Sequence, residues 1–144
     1  MLRFTKRADY GLMAINYIVM HGEDAAVSAK RIADEFGIPH ELLAKILQRL
    51  AKRGFITSHN GPKGGYVLAR SPEQVTVGQV IRALEGPINI VSCLEDLDCP
   101  QFSRCNLCRP VQKIQASISY LLDTMTLAEL TRETVPVSDL TTVN

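Results

Sequence analysis

Apolar residues recur at intervals of three and four along much of the chain, which predicts a mainly helical protein. The first such segment runs from Lys6 to Met20 and follows Thr5, a favourable N-cap residue. A short helix from Ala29 to Phe36 and a longer one from about His40 to Arg53 come next, separated by a turn at Gly37. This order predicts a helix-turn-helix. The longer helix should turn four residues inward: Leu43, Ile46, Leu47 and Leu50.

Two short runs of strand-forming residues, 55–59 and 66–69, follow the helical pair. The turn between them is Asn60-Gly61-Pro62-Lys63-Gly64-Gly65, so the segment predicts a β-hairpin. A hairpin directly behind a helix-turn-helix is the wing of a winged-helix domain. The predicted fold is therefore mainly α with one small hairpin.

The second half of the chain predicts three more helices. A capping-box pattern at Thr76 opens one helix, and Gly86 should end it. An apolar stripe from Val111 to Met125 predicts a long helix that needs a partner, and a further capping box at Thr126 opens a short last helix. The predicted division is a winged helix-turn-helix domain, a cysteine loop, a dimerisation helix with a short following helix, and a loose tail: residues 1–88, 89–109, 110–135 and 136–144.

Charge is distributed unevenly along the 144 residues, although the net charge is only +1. Residues 1–70 contain 11 Lys/Arg and 6 Asp/Glu, whereas residues 71–144 contain 5 and 9. A basic front half suits a protein that presents one face to a polyanion such as DNA. No apolar run approaches the roughly 20 residues of a membrane span, and the start of the chain lacks the pattern of a secretion signal. We therefore expect a cytoplasmic protein with no membrane partner.

In a helix-turn-helix the second helix enters the major groove by its N-terminal end. The residues placed early enough to meet base edges are His40, Glu41 and Lys45. Those better placed for phosphates are Lys30, Arg31, Gln48, Arg49 and Lys52, with Lys63 at the wing tip and Arg3 and Asn60 as further candidates. The alternative is a solvated helical pair, or a winged helix that binds protein.

All four cysteines lie in one polar segment. Cys93, Cys99, Cys105 and Cys108 are separated by five, five and two residues. In a reducing compartment this clustering favours metal ligation over disulfides or scattered buried thiols. Structural zinc sites usually pair their ligands as two Cys-x-x-Cys units, and here only Cys105 and Cys108 form one. The wider gaps modestly favour an iron–sulfur cluster, and zinc stays open.

Several motifs together resemble one family of bacterial winged-helix regulators, typified by IscR, NsrR and RirA. The motifs are Leu2-Arg3-Phe4-Thr5, Ile32-Ala33, Gly61-Pro62-Lys63-Gly64-Gly65-Tyr66, Val77-Gly78-Gln79-Val80-Ile81, and Cys93, Cys99 and Cys105. The resemblance covers nearly the whole chain. It implies a homodimer that packs through the long helix, binds double-stranded operator DNA, and tunes that binding with an iron–sulfur cluster on the three cysteines.

The fourth ligand is where the chain departs from the family pattern. IscR-like members have a histidine at the position of Cys108, whereas NsrR-like members use an aspartate of the partner subunit, matched here by Asp9. We favour Cys108, because a thiolate binds iron more strongly than a lone carboxylate. A 2Fe-2S cluster is slightly favoured over 4Fe-4S. Ala44 stands where IscR has an acidic specificity residue, so the operator sequence is not implied.

Two other classes compete with this hypothesis. An electron carrier or enzyme fits poorly, because the chain has no phosphate-binding glycine loop and no convincing Ser/His/Asp set, so we expect a non-enzyme. A zinc-stapled winged-helix module, binding protein or DNA without redox sensing, is the remaining alternative.

Overall fold

The computed structural model of the protein describes residues 3–23, 25–91 and 99–134. Within these residues the chain forms six α-helices and one two-stranded antiparallel sheet. In chain order the elements are α1 (Lys6–His21), α2 (Ala29–Phe36), α3 (His40–Lys52), β1 (Ile56–His59), β2 (Gly65–Leu68), α4 (Val77–Glu85), α5 (Cys108–Thr124) and α6 (Leu127–Arg132). None of the helices described here is long and apolar enough to cross a membrane.

The helix boundaries of the first half follow the capping residues that the sequence predicts. Thr5 Oγ1 accepts a hydrogen bond from the Ala8 amide at 3.1 Å, and Ser28 Oγ accepts one from the Arg31 amide at 3.1 Å. Gly37 ends α2 with a φ of +64°, a conformation that favours glycine. The predicted helix-turn-helix is therefore confirmed.

The core lies between α1, α3 and α4. All four residues of α3 that the sequence turns inward are buried: Leu43, Ile46, Leu47 and Leu50. Met20, an apolar residue near the end of α1, is 49% exposed. It lies two positions beyond the buried Ile18 and so points away from the core. Phe36 is 37% exposed and rests edge-on against Tyr17, with ring centroids 5.5 Å apart.

The wing is fixed to the segment that precedes α2. Its strands pair from Ile56↔Leu68 to His59↔Gly65. Tyr66 exchanges two backbone hydrogen bonds with Val27, of 2.7 and 2.9 Å. A Cβ atom at Gly65 would overlap the Val27 backbone, so this glycine permits the close approach.

The long C-terminal helix begins earlier than the sequence predicts. Helix α5 starts at Cys108, so Cys108 and Arg109 belong to its first turn and not to the 89–109 loop. Pro110 is tolerated as the third helical residue, because amides in the first turn have no partner within the helix. No residue of α5 is buried in the single chain, whereas Leu127 of α6 is fully buried. The tail 136–144 and Cys93 lie outside the described residues.

Gly65→Ala should lower the free energy of unfolding by roughly 1–3 kcal/mol, because the new methyl group must displace the Val27 backbone. Urea denaturation followed by circular dichroism measures this change. The matched control is Gly37→Asn, where φ is +64° and no neighbouring atom lies within 4 Å. Asparagine tolerates this conformation, so the control should lose less than about 1 kcal/mol. Equal losses in both variants would contradict the proposed role of the close approach.

Candidate nucleic-acid interface and cysteine segment

The outer face of α3 is a continuous polar stripe. Glu41, Lys45, Gln48 and Lys52 are all exposed and follow one another at intervals of four, three and four residues. This spacing places them on one side of the helix, opposite the buried leucines. The structure thus presents the predicted recognition helix with its candidate residues facing outward.

Two further DNA-binding candidates are joined through a carboxylate that sequence analysis missed. Asp34 Oδ2 accepts a hydrogen bond from Lys30 Nζ at 2.7 Å, and Asp34 Oδ1 lies 3.1 Å from His40 Nε2. The hydrogen bond from Lys30 is the main reason that the pKa of Asp34 is lowered, and it raises the pKa of Lys30 in return. The ionised Asp34 therefore connects α2 to the first residue of α3. The contact between Lys30 and Asp34 could have been predicted from the sequence, because residues four positions apart lie on the same side of a helix. The contact with His40 could not.

The remaining candidates occupy different surroundings. The Arg31 guanidinium lies 5.4 Å from the centre of the Tyr17 ring. Arg49, predicted to contact phosphate, directs its Nε to the Ala83 carbonyl of α4 at 2.9 Å. Asn60 and Lys63 are exposed at the wing tip, and Arg3 lines a cavity of about 400 Å³ between the start of α1, the end of α4 and α5.

The three described cysteines are free thiols on the protein surface. Cys99 and Cys108 are partly exposed and Cys105 is exposed. Cys105 Sγ accepts a hydrogen bond from the Leu107 amide at 3.4 Å, and Cys108 Sγ accepts one from Gln112 Nε2 at 3.6 Å. Sulfur atoms that accept N–H bonds suit thiolate ligation of an iron–sulfur cluster, and equally of zinc. Cys93 lies outside the described residues.

The structure does not by itself assemble the predicted metal centre. Among residues 3–23, 25–91 and 99–134, no three His, Cys, Asp or Glu side chains form a group that could hold a metal ion. Asp9, the alternative fourth ligand, lies in the first turn of α1 and is partly exposed. The donor chemistry of the cysteines therefore fits a cluster, and the full ligand set stays a prediction.

Helix α5 holds the backbone at the start of the predicted cysteine loop, residues 89–109, which we call the cysteine segment. Gln115 Oε1 accepts a hydrogen bond from the Ile90 amide at 2.9 Å, and its Nε2 donates to the Ile88 carbonyl. The other end of the segment enters α5 directly at Cys108. The cysteine segment is therefore attached to α5 on both sides.

An ion pair fixes α5 to the winged-helix domain. The guanidinium of Arg82 on α4 binds the carboxylate of Asp123 through its two terminal nitrogens. Nη1 lies 2.5 Å from Oδ1, and Nη2 lies 3.0 Å from Oδ2. A Cβ atom at Gly78 would overlap Asp123, so this glycine lets the two helices approach. The hydrogen bonds from Arg82 lower the pKa of Asp123 and raise that of Arg82. A charged contact thereby connects α5 to α4.

Comparison with known proteins identifies the family. A family model described as "Rrf2: Iron-dependent Transcriptional regulator" matches residues 4–133. The chain belongs to the Rrf2 family. It is similar to protein rrf2 of Nitratidesulfovibrio vulgaris, with 40% identity over 134 residues, 92% of this chain and 89% of that protein. As an Rrf2-family protein it is a DNA-binding transcriptional regulator, and members of this family are not enzymes.

Solved structures of Rrf2-family relatives have the same fold. The global cysteine regulator CymR of B. subtilis superimposes with a TM-score of 0.79 and 30% identity, covering 94% of this chain and 100% of that one. IscR of T. potens superimposes with a TM-score of 0.73 and 28% identity, covering 96% of each chain. The predicted winged-helix fold and the resemblance to the IscR family are both confirmed.

Lys63→Ala should weaken binding to a random-sequence DNA duplex and reduce the slope of log affinity against log salt by about 1, because one phosphate contact is lost. Fluorescence anisotropy over a range of salt concentrations gives both quantities. Lys113→Ala removes the same charge from an exposed position on α5 and is the control. If the two variants changed the slope equally, the wing tip would have no specific part in DNA binding.

Asp123→Asn should destabilise the protein at neutral pH by less than about 1 kcal/mol, since the Arg82–Asp123 pair is partly exposed and screened. Because the folded state lowers the pKa of Asp123, the pair contributes fully above about pH 5 and is lost as the pH falls below about 4. Urea denaturation at pH 7, 5 and 3 should therefore show a smaller loss between pH 5 and 3 in the variant. An unchanged loss would show that the ion pair does not contribute.

Proposed function

We propose that this Rrf2-family regulator binds operator DNA as a homodimer, with an affinity set by an iron–sulfur cluster held on Cys93, Cys99, Cys105 and Cys108. The surface thiols and their N–H donors support cluster binding. The family description as iron-dependent and the likeness to IscR support an iron-linked signal.

The observation that carries the proposal is the attachment of the cysteine segment to α5. Cys108 opens α5, and Gln115 holds the backbone at Ile88 and Ile90. A change in the backbone path of the cysteine segment would therefore act on α5 at two places, Cys108 and Gln115. The sequence alone does not predict this attachment, because Gln115 forms hydrogen bonds with residues 25 and 27 positions earlier in the chain.

The same helix transmits the change to the DNA-reading domain. When bound, an iron–sulfur cluster supplies a group whose stability and charge respond to iron supply and to oxidants. Gain or loss of this group at Cys99, Cys105 and Cys108 would change the constraint on the backbone that enters α5. Arg82 and Asp123 then pass the displacement of α5 to α4. The two recognition helices of a dimer must match DNA half-sites about one helical turn apart. A small shift in their spacing therefore changes the affinity for DNA.

The surface of α5 supports dimerisation through this helix. Ile114, Tyr120 and Leu121 are 51%, 72% and 62% exposed in the single chain. Ile118 and Leu122 continue the apolar surface into the cavity of about 400 Å³ beside Phe4. Large apolar side chains grouped on one helix are typical of a protein interface. A second copy of the chain would cover them.

Anaerobic purification with visible absorption and iron, sulfide and zinc analysis tests the proposal. We expect a coloured protein with matched iron and sulfide, and a mass in sedimentation of twice the 15.9 kDa chain. Replacing Cys93, Cys99 and Cys105 by alanine should abolish both the absorption and the response of operator binding to cluster loss. Full response in that variant would reject cluster control.

A matched pair of variants decides the fourth ligand. Cys108→Ser should reduce iron retention and alter the visible spectrum, whereas Asp9→Asn should leave both unchanged. The opposite result would assign the ligand to the partner's aspartate. A colourless protein that keeps one zinc and accepts no reconstituted cluster would leave a zinc-stapled winged helix.

A further inference from the structure

A groove at the base of the wing is lined by arginines that belong to three different elements. It has a volume of about 300 Å³ and is bounded by Arg53, Phe55, Arg70, Gln79, Arg82 and Ala83. Arg53 follows α3, Arg70 follows β2, and Arg82 lies on α4. None of these three arginines is among the DNA-binding residues that the sequence predicts. Residues separated by up to 29 positions therefore bring positive charge to one place.

Two of the three arginines, Arg70 and Arg82, are held in place by other protein groups. The Arg70 guanidinium lies 4.9 Å from the centre of the Phe55 ring, and its Nη2 donates to the Arg53 carbonyl at 3.4 Å. Arg82 is fixed by Asp123. Each guanidinium has five N–H donors, so donors remain after these contacts are made. The guanidiniums of Arg70 and Arg82 are therefore oriented before any ligand arrives.

The charge of the groove is poorly balanced. Of the residues that the structure describes, Asp123 is the carboxylate paired with an arginine of the groove, and Arg53 and Arg70 form no ion pair. Three guanidiniums thus face one carboxylate. Planar guanidiniums bind the oxygens of phosphate through paired, charge-assisted hydrogen bonds.

The groove is separate from the polar stripe that reads DNA. Arg53, the residue after α3, lies eight residues beyond Lys45, which is about 80° around the axis if the helical geometry is continued to it. The neighbouring Arg49 already turns towards α4, where it binds the Ala83 carbonyl. The opening therefore faces the α4 side of the domain.

We propose that this groove binds a small phosphate-type oxyanion. The anion bridges Arg53, Arg70 and Arg82, and it competes with Asp123 for the Arg82 guanidinium. Its binding therefore loosens the connection between α4 and α5. The binding step depends on neither the cluster nor the proposed mode of dimerisation, whereas its regulatory consequence rests on the proposed role of α5.

Titration of the full chain with inorganic phosphate tests the site, with chloride at matched ionic strength as reference. We expect saturable heat in calorimetry and a rise in Tm of roughly 3–5 °C at ten times the dissociation constant. Arg53→Gln and Arg70→Gln should each remove most of this rise. Arg53→Gln keeps the backbone carbonyl that Arg70 uses, so it remains informative if Arg70→Gln folds poorly. Arg132→Gln, outside the groove, is the control for loss of one positive charge.

Asp123→Asn gives a signature that a purely structural arginine cluster would lack. Removing the competing carboxylate should tighten phosphate binding roughly threefold or more, because Arg82 is released. Weaker or unchanged binding in Asp123→Asn would contradict the competition.

DNA binding distinguishes a site for a free anion from an extension of the DNA interface. In phosphate-free buffer, Arg53→Gln should leave affinity for a random-sequence duplex within about twofold and the salt slope unchanged. A slope reduced by about 1, together with no binding of free phosphate, would assign the groove to the DNA backbone and overturn the proposal.

Discussion

The burial of α4 on two sides is the packing constraint on which the rest of the structure depends. Leu84 is fully buried, and a Cβ at Gly11 of α1 would overlap its side chain. On the other side Gly78 and Arg82 meet Asp123 of α5. The end of α4 also accepts hydrogen bonds from α1 and α3, through Arg7 to the Leu84 carbonyl and Arg49 to that of Ala83. A single nine-residue helix thus joins the recognition helix to the cysteine-bearing half.

Relatives with different names share this fold. The chain superimposes both on a cysteine regulator and on IscR, with almost complete coverage. The winged helix and α4 supply DNA reading and a common connection. In the proposed function the signal enters through the segment before α5, and a common fold leaves the chemistry of such a segment free to differ between proteins. In the proposed function, the four cysteines of this chain are the residues that set its signal.

Local sequence signals were sufficient for the helices and the hairpin. Capping side chains at Thr5, Ser28, Thr76 and Thr126 act within three residues, so their partners are visible in the sequence. Helix α5 begins three residues before the predicted Val111, because Pro110 suggests a boundary although the first turn accepts proline at any of its early positions. The outward stripe of α3 followed from periodicity alone.

Contacts between distant residues could not be predicted in this way. Asp34 joins Lys30 and His40 because the turn at Gly37 folds α2 onto the start of α3, and Gln115 reaches a backbone more than 20 residues away. The direction of the Arg49 side chain depends on the Ala83 carbonyl of α4, to which its Nε donates a hydrogen bond. Such contacts are set by the relative positions of whole helices. Periodicity predicts which face of a helix is polar, but it does not predict which residues of other helices that face contacts.

The attachment of the wing to Val27 has a thermodynamic consequence for DNA binding. Tyr66 and Val27 share two backbone hydrogen bonds, and Gly65 leaves no space between the two chains. The base of the hairpin is therefore already ordered in the free protein and loses little conformational entropy when it meets a duplex. If the predicted contact of Lys63 with the DNA backbone forms, counterion release at the wing tip would contribute to affinity with little ordering cost to offset it.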